Sequence, residues 1–412
     1  MSALYSFAVL FIVFIPFPFH FFPNQHSISE FLFLDFVRWI GALFHTDLLP
    51  GYGFSSDSAS MYLLTGILAT GASFLAVVGH GIKGSILQRP ALYAWLDRFF
   101  LAYLTLIWFS YGFEKVLKHQ FYLPEPNILY TPFGKLDPDI LFWSLMGSSY
   151  SYSLVLGGTE LLAGAFLLFR NTRFTGLLLS LVILAQILTV NLCFDISLKL
   201  FTVFLILVTL ILLRSKLRSL FLFLFRNQFL EVKEHILQWP KGGLRHGCKA
   251  LFFLLLLFKG MSPFWASGNW NDDLVPRPYL HGAYEVTNND TSTFQIKRFF
   301  VHRDGYLIFQ MEDDEMEDFQ LLVNRGENTL ICTDNDGKTW PFSFQFSTTE
   351  TVLLINSLDP LRPLQLKGKA LNWRSLPALS PSFYWTMEGH FSDSAQLSGK
   401  TPQPFYKYSG ER

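Results

Sequence analysis

Charge is scarce in this sequence. Only 16% of its 412 residues are Asp, Glu, Lys or Arg, where a soluble domain carries about 25%. The deficit is uneven: residues 1–264 hold 13 acidic and 19 basic side chains, and residues 265–412 hold 19 acidic and 13 basic. The zero net charge is therefore +6 in the first part and −6 in the second. That pattern excludes one water-soluble globule, a disordered chain and a basic nucleic-acid binder. Cysteine is nearly missing too. Cys193, Cys248 and Cys332 stand far apart, with no CxxC pair. This excludes a disulfide framework, a zinc knuckle and c-type haem attachment. There is no P-loop, no Rossmann glycine pattern and no HExxH. Most histidines (His20, His26, His45, His80, His119, His235 and His246) fall in loops or at the ends of apolar stretches, a poor source of axial haem ligands. No metal site and no cofactor held by the chain itself are expected.

Long apolar runs are what the sequence has instead. About 20 apolar residues cross the hydrocarbon layer, and seven stretches come near that: 3–22, 59–79, 95–113, 151–169, 174–192, 196–213 and 250–266. The first lacks a basic leader and a small-x-small cleavage site, so it reads as a retained span, kinked by Pro16 and Pro18. The last is short and carries Lys259 in its middle. Segment 29–44 mixes Glu30, Asp35 and Arg38 with Phe, Leu and Trp, and reads as a helix lying in the membrane interface. The expected organisation is N-terminal transmembrane and interfacial helices over 1–94, a four-helix core over 95–214, a basic loop and last span over 215–266, and a β domain over 267–412.

Loop charge sets the orientation. One set of loops holds Lys83, Arg89, Arg170, Arg173 and the group from Arg214 to Lys249, while the alternate set holds only Arg38, Lys115, Lys118, Lys135 and Lys199. The basic set faces the cytoplasm, so the N-terminus is expected inside and the tail outside. Beyond Trp270 the pattern turns to short β-type runs at 305–311, 319–323, 329–333, 340–346, 351–355 and 364–370. Turn-formers such as Asn335-Asp336-Gly337 and Asn324-Arg325-Gly326 separate them. A small antiparallel sheet or partial barrel of about six to eight strands follows. The acidic run Glu312–Asp318 reads as a solvated loop, without the ligand spacing of an EF-hand. The last 20 residues read as loose.

An ionised group inside a span needs a reason, because burying it there is costly. Glu160 sits near the middle of 151–169, with Gly157 and Gly164 on its face at spacings three and four. Glycines let helices approach closely, so Glu160 should point into the bundle. Depth along neighbouring spans places Lys115, Gln186, Asn191, Asp195 and Lys199 near it, with the aromatic Trp108 and Tyr111, in one polar pocket opening outward. A plain surface pair for Asp195 with Lys199, at i,i+4, is the competing reading. Asp97 and Arg98 read as a local ion pair or a headgroup anchor.

Three stretches within 95–214 resemble the DoxX family of small four-helix membrane proteins: WLDRFFLAYLTLIWFSYGFEKVLKHQF, GTELLAGAFLLFRNTRFTGLLLS and VNLCFDISLKLF. The matching positions are Arg98, Gly112 and Lys115, then Glu160 and Gly164, then Asn191 through Lys199. YGFEK, MGSS at 146–149 and NLCFDISLKLF are similar to longer members with flanking helices and a C-terminal extension. The resemblance implies a bacterial inner-membrane protein supporting quinone-linked redox work. A quinone is then the candidate ligand, with any metal or flavin on a redox partner protein. The alternative is a transporter or membrane scaffold whose external β domain docks a partner. The lipid bilayer is the one certain partner, nucleic acid is excluded, and the oligomeric state stays open.

Overall fold

The computed structural model describes residues 1–18, 22–44, 53–82, 89–226, 243–289, 295–347, 349–360 and 364–379. The expected loose end 393–412, the loop residues Lys83, Lys233 and Lys241, and His20, His45 and His235 lie outside them, as do the side chains of Arg218, Arg245, His246, Cys248 and Lys249. The chain forms two compact units: Met1–Pro124 with Thr131–Arg277, and Glu125–Tyr130 with Pro278–Arg412.

In the first unit the helices are α1 (Ser2–Phe14), α2 (Gln25–Leu43), α3 (Ala59–Gly81) and α4 (Pro90–Val116). After α5 (Pro126–Tyr130), which belongs to the second unit, come α6 (Pro138–Ser148), α7 (Tyr150–Leu168), α8 (Arg173–Cys193), α9 (Lys199–Arg226) and α10 (Gly243–Ser267). Six of these, α3, α4, α7, α8, α9 and α10, are long and apolar enough to cross a membrane. The chain is a multi-pass membrane protein.

The expected first span, 3–22, differs. Its helix has 13 residues and stops at Phe14, so it rises about 20 Å, short of the roughly 30 Å hydrocarbon layer. Ile15 has left helical geometry at φ −94°, ψ 106°, as a residue preceding proline tends to. The freed carbonyls at this end are satisfied by the next helix. The buried Gln25 amide donates to Ile12 O, Val13 O and Ile15 O at 2.9, 3.0 and 3.1 Å, and Ser29 Oγ donates to Phe14 O at 2.6 Å. Prolines stop the helix, and α2 caps it. The segment read as an interfacial helix is α2. It buries Gln25, Ser29, Val37 and Gly41 and leaves Phe31, Trp39 and Leu43 exposed.

Two contacts show how the chain runs through this unit. Asp97 of α4 accepts a bidentate pair from Arg214 of α9, at 2.9 and 2.8 Å, and a hydrogen bond from Tyr5 Oη of α1. Asp97, read as a local pair with Arg98 or a headgroup anchor, thus makes an ion pair between helices, and Arg98 lies over the Trp95 ring. The Asp57 carboxylate accepts from Lys199 N and Leu200 N at 2.8 and 3.1 Å, capping α9 from a distant loop. Arg214 and Lys199 are 15 residues apart on α9, about 22 Å of rise. Between Tyr5 and Asp57 the chain has therefore passed from the level of Arg214 to the N-terminal end of α9.

The second unit is a closed antiparallel barrel of eight strands in sequence order. They are β1 (Gly282–Asn289), β2 (Ile296–Val301), β3 (Tyr306–Met311), β4 (Met316–Asn324), β5 (Thr329–Thr333), β6 (Thr339–Ser347), β7 (Val352–Ser357) and β8 (Gln365–Leu371). β8 returns to pair with β1, from Ala283↔Leu371 to Asn289↔Leu366, so no edge strand is left open. Asp334 Oδ1 caps the β5–β6 turn by accepting from Asp336 N and Lys338 N, and Gly337 supplies the φ of +80°. The acidic run read as a loop is only half one: from Met316 onward it is strand β4, paired with β3.

The barrel interior is filled. Tyr284 and Phe299 stack with ring centroids 5.0 Å apart, and a methyl at Gly368 would stand 2.4 Å from the Phe299 ring. Leu307, Leu330, Phe344, Leu353, Ile355 and Leu366 complete the packed core, as suits an eight-stranded barrel. Burial pushes the Cys332 thiol up to about 12, which removes it as a nucleophile.

Candidate functional site

The close approach of α4 and α7 builds the site. A methyl on Gly157 would lie 2.7 Å from Gly112 O and 2.9 Å from Lys115 Cβ, and one on Gly112 would lie 2.7 Å from Leu161. Only glycine fits this crossing. It brings Lys115 directly against α7, where Lys115 Nζ donates to Glu160 Oε2 at 2.9 Å. The two side chains are 8% and 4% exposed. Ser153 Oγ donates to Lys115 O at 2.7 Å, fixing the last turn of α4. The ammonium also lies 5.3 Å from the Tyr111 ring centre and 5.5 Å from that of Phe121, both within cation–π range.

Two turns back on α4, Trp108 is buried, and its indole N–H donates to Ser180 Oγ on α8 at 2.8 Å. Ser180 in turn donates to Gly176 O at 2.7 Å. A buried ammonium faced by aromatic rings can donate a hydrogen bond to a carbonyl oxygen, and the carboxylate beside it can take up and release a proton. Such groups lie within the apolar part of the chain only when something there requires them.

Of the eight residues singled out, the structure joins Lys115, Glu160 and Tyr111, while Trp108 bonds Ser180 two turns away. The others find separate partners. Asn191 Nδ2 donates to Thr202 Oγ1 at 3.0 Å. Lys199 pairs with Asp195 at 2.7 Å, the Asp195 side chain being 87% exposed. Gln186 lies on the exposed side of α8.

Several polar contacts escaped the sequence reading. Lys118, fully buried just past α4, donates to Gly147 O at 2.6 Å and pairs with Asp273 at 3.3 Å. Burial depresses its ammonium, with Asp273 opposing that. Lys118 and Asp273 are 155 residues apart, so no local spacing could have paired them.

In the second unit, the short α5 segment lies on the barrel wall. The Glu125 carboxylate is 2.7 Å from His281 Nε2, both side chains being 4% exposed, and Arg303 lies 3.8 Å away. Tyr130 stacks on Phe300, and Arg298 lies over the Tyr130 ring at 4.9 Å. Gln310 Nε2 donates to Tyr130 O at 3.0 Å.

Burial raises the Glu125 carboxyl, but the His281 hydrogen bond and the charges of His281, His302 and Arg303 outweigh it, holding the group below the ordinary value. Burial also lowers His302. In both cases the unfolded state binds more protons over the shifted range, so stability is lost on acidification. For His302 the loss begins near pH 6.5, and for Glu125 near pH 4.3, the ordinary values. Hydrogen exchange of the full chain should show β1–β3 amides losing protection as pH falls through those windows. Glu125→Gln should abolish the lower one.

Among the described residues, no group of three His, Cys, Asp or Glu is placed to hold a metal ion. No family model matches the chain, and no solved structure matches it. It is 28% identical over 155 residues to the uncharacterized protein YwoB of Bacillus subtilis (strain 168), a match covering 35% of this chain and 92% of that protein.

Proposed function

We propose that the chain is a DoxX-like membrane subunit, free of cofactors of its own, that supports quinone-linked redox chemistry by holding a lipid-soluble, quinone-like ligand at Lys115–Glu160. The observation that carries this is the closed ion pair between α4 and α7 with aromatic rings on the ammonium. Lys115 has three N–H donors and spends one on Glu160, so a quinone carbonyl can accept from another while its ring lies against Tyr111 or Phe121. Glu160 is the group that takes or gives a proton as the ligand changes redox state.

The family resemblance supports a bacterial inner membrane, and the loop charges support an N-terminus in the cytoplasm with the barrel outside. The passage of the chain between Tyr5 and Asp57 keeps that parity although the first helix is short. Titration of the detergent-purified full chain with ubiquinone and menaquinone analogues tests the ligand. Glu160→Gln and Lys115→Met should each weaken binding at least tenfold. Equal affinity in wild type and variants overturns the reading.

A second reading, a scaffold or transporter whose barrel docks a partner, is favoured by a different observation. The barrel interior is packed with apolar side chains, and Leu322 and Ile331, neighbours across β4 and β5, are 65% and 38% exposed on its surface. The acidic balance of residues 265–412 would steer a basic partner to that surface. Crosslinking in native membranes should then recover a neighbour through the barrel.

A further inference from the structure

α10 is the least buried of the six long apolar helices. One face packs: Leu256, Gly260 and Phe264, four apart, are buried, and Phe253 meets Phe109 of α4 edge-on at 6.2 Å. A methyl on Gly260 would lie 3.1 Å from Phe113 of α4, so this side is closed. The rest of the helix is open and apolar, with Leu251, Leu254, Leu255, Phe258 and Trp265 exposed.

In the middle of that open face stands Lys259, also exposed. Among the described residues its ammonium has no hydrogen bond or ion pair. Nine apolar residues precede it in ALFFLLLLF and seven uncharged ones follow in GMSPFWA, roughly 14 Å and 10 Å of helix. Side chains on a helix lean toward its N-terminus, so the lysine stem leads along the longer apolar run, away from the nearer helix end. A cation so placed on a lipid-facing wall is costly unless a counter-charge meets it. α10 itself holds no acidic residue, so a second α10 laid against it would oppose two lysines.

We propose that the open face of α10 is a helix-packing surface, and that its occupant is a transmembrane helix of another protein carrying an Asp or Glu level with Lys259. Opposite charges set the register of the two helices and discriminate against uncharged helices, in the manner of charged positions in paired helices. Nothing in this depends on what binds at Lys115–Glu160.

The test uses the full-length chain in its native membrane with a photoreactive side chain at Leu255. Irradiation should yield an adduct heavier than the 47.4-kDa chain, whose second component has a carboxylate within a membrane helix. Its yield should fall at least tenfold in Lys259→Met, persist in Lys259→Arg, and return in Lys259→Glu when the partner carboxylate is changed to lysine. Lys259→Met removes a charge from an apolar helix, so insertion is preserved, and an unchanged unfolding midpoint in detergent checks it. Adducts with lipid only, an adduct of twice the chain mass, a partner without an intramembrane carboxylate, or undiminished yield in Lys259→Met would each overturn the proposal.

Discussion

Glu160→Ala will lower the stability of the membrane unit by about 3–5 kcal/mol, the cost of leaving one member of a buried ion pair uncompensated. Lys115 would then hold an ammonium, 8% exposed, with its hydrogen-bonded carboxylate partner gone. The double variant Lys115→Met/Glu160→Leu should recover most of that loss, because an apolar pair of similar volume removes both charges at once. Unfolding of the full chain in detergent, followed for wild type, both single variants and the double, measures the coupling directly. If the double variant is as stable as wild type yet no longer binds a quinone analogue, the pair is kept for the ligand. If the singles cost nothing, the ion pair of the structure carries no weight.

Gly157→Val should also destabilise the unit, by a different route. Even one methyl there meets Gly112 O at 2.7 Å and Val116 Cγ2 at 2.9 Å, and a carbonyl cannot move aside as a flexible side chain can. α4 and α7 would separate, at a cost of about 1–3 kcal/mol for the overpacking, and Lys115 would be carried away from Glu160. Loss of stability and of ligand binding should therefore appear together. Gly158→Val on the same helix, where a methyl meets nothing within 4 Å, should change neither.

The long apolar helices were legible because a run of about 20 apolar residues is a local property. Segments 59–79, 151–169 and 174–192 agree with α3, α7 and α8 to within a few residues. The Gly157–Glu160–Gly164 face was legible for the same reason, since three- and four-residue spacing fixes which residues share a side. The pairing of Glu160 with Lys115 also follows the depth reading, although Gln186, reached by the same reasoning, lies on an exposed face. Depth along a helix is readable, whereas rotation about its axis depends on which neighbours cover it.

Two strands of the barrel show the limit from the other side. β2 (Ile296–Val301) shows no clean alternation, because Phe300 on its outward side is covered by Tyr130. A strand buried on both faces loses the period-two signal. β1 ends in the polar VTNN, which resembles loop. The six runs that were readable, among them 329–333 and 340–346, alternate or carry β-branched and aromatic residues.

By itself, then, the sequence determined a membrane chain with a β-rich tail, the side of α7 that glycine opens, and the residue that must be shielded there. Those are properties of composition and short spacing. Tertiary structure alone decided that Asp97 binds Arg214, that Asp57 caps α9, that Lys118 reaches Asp273, and that the strands close into a barrel. Each of these joins groups more than 75 residues apart, and a contact at that distance along the chain is set by how whole elements pack, which no local pattern records.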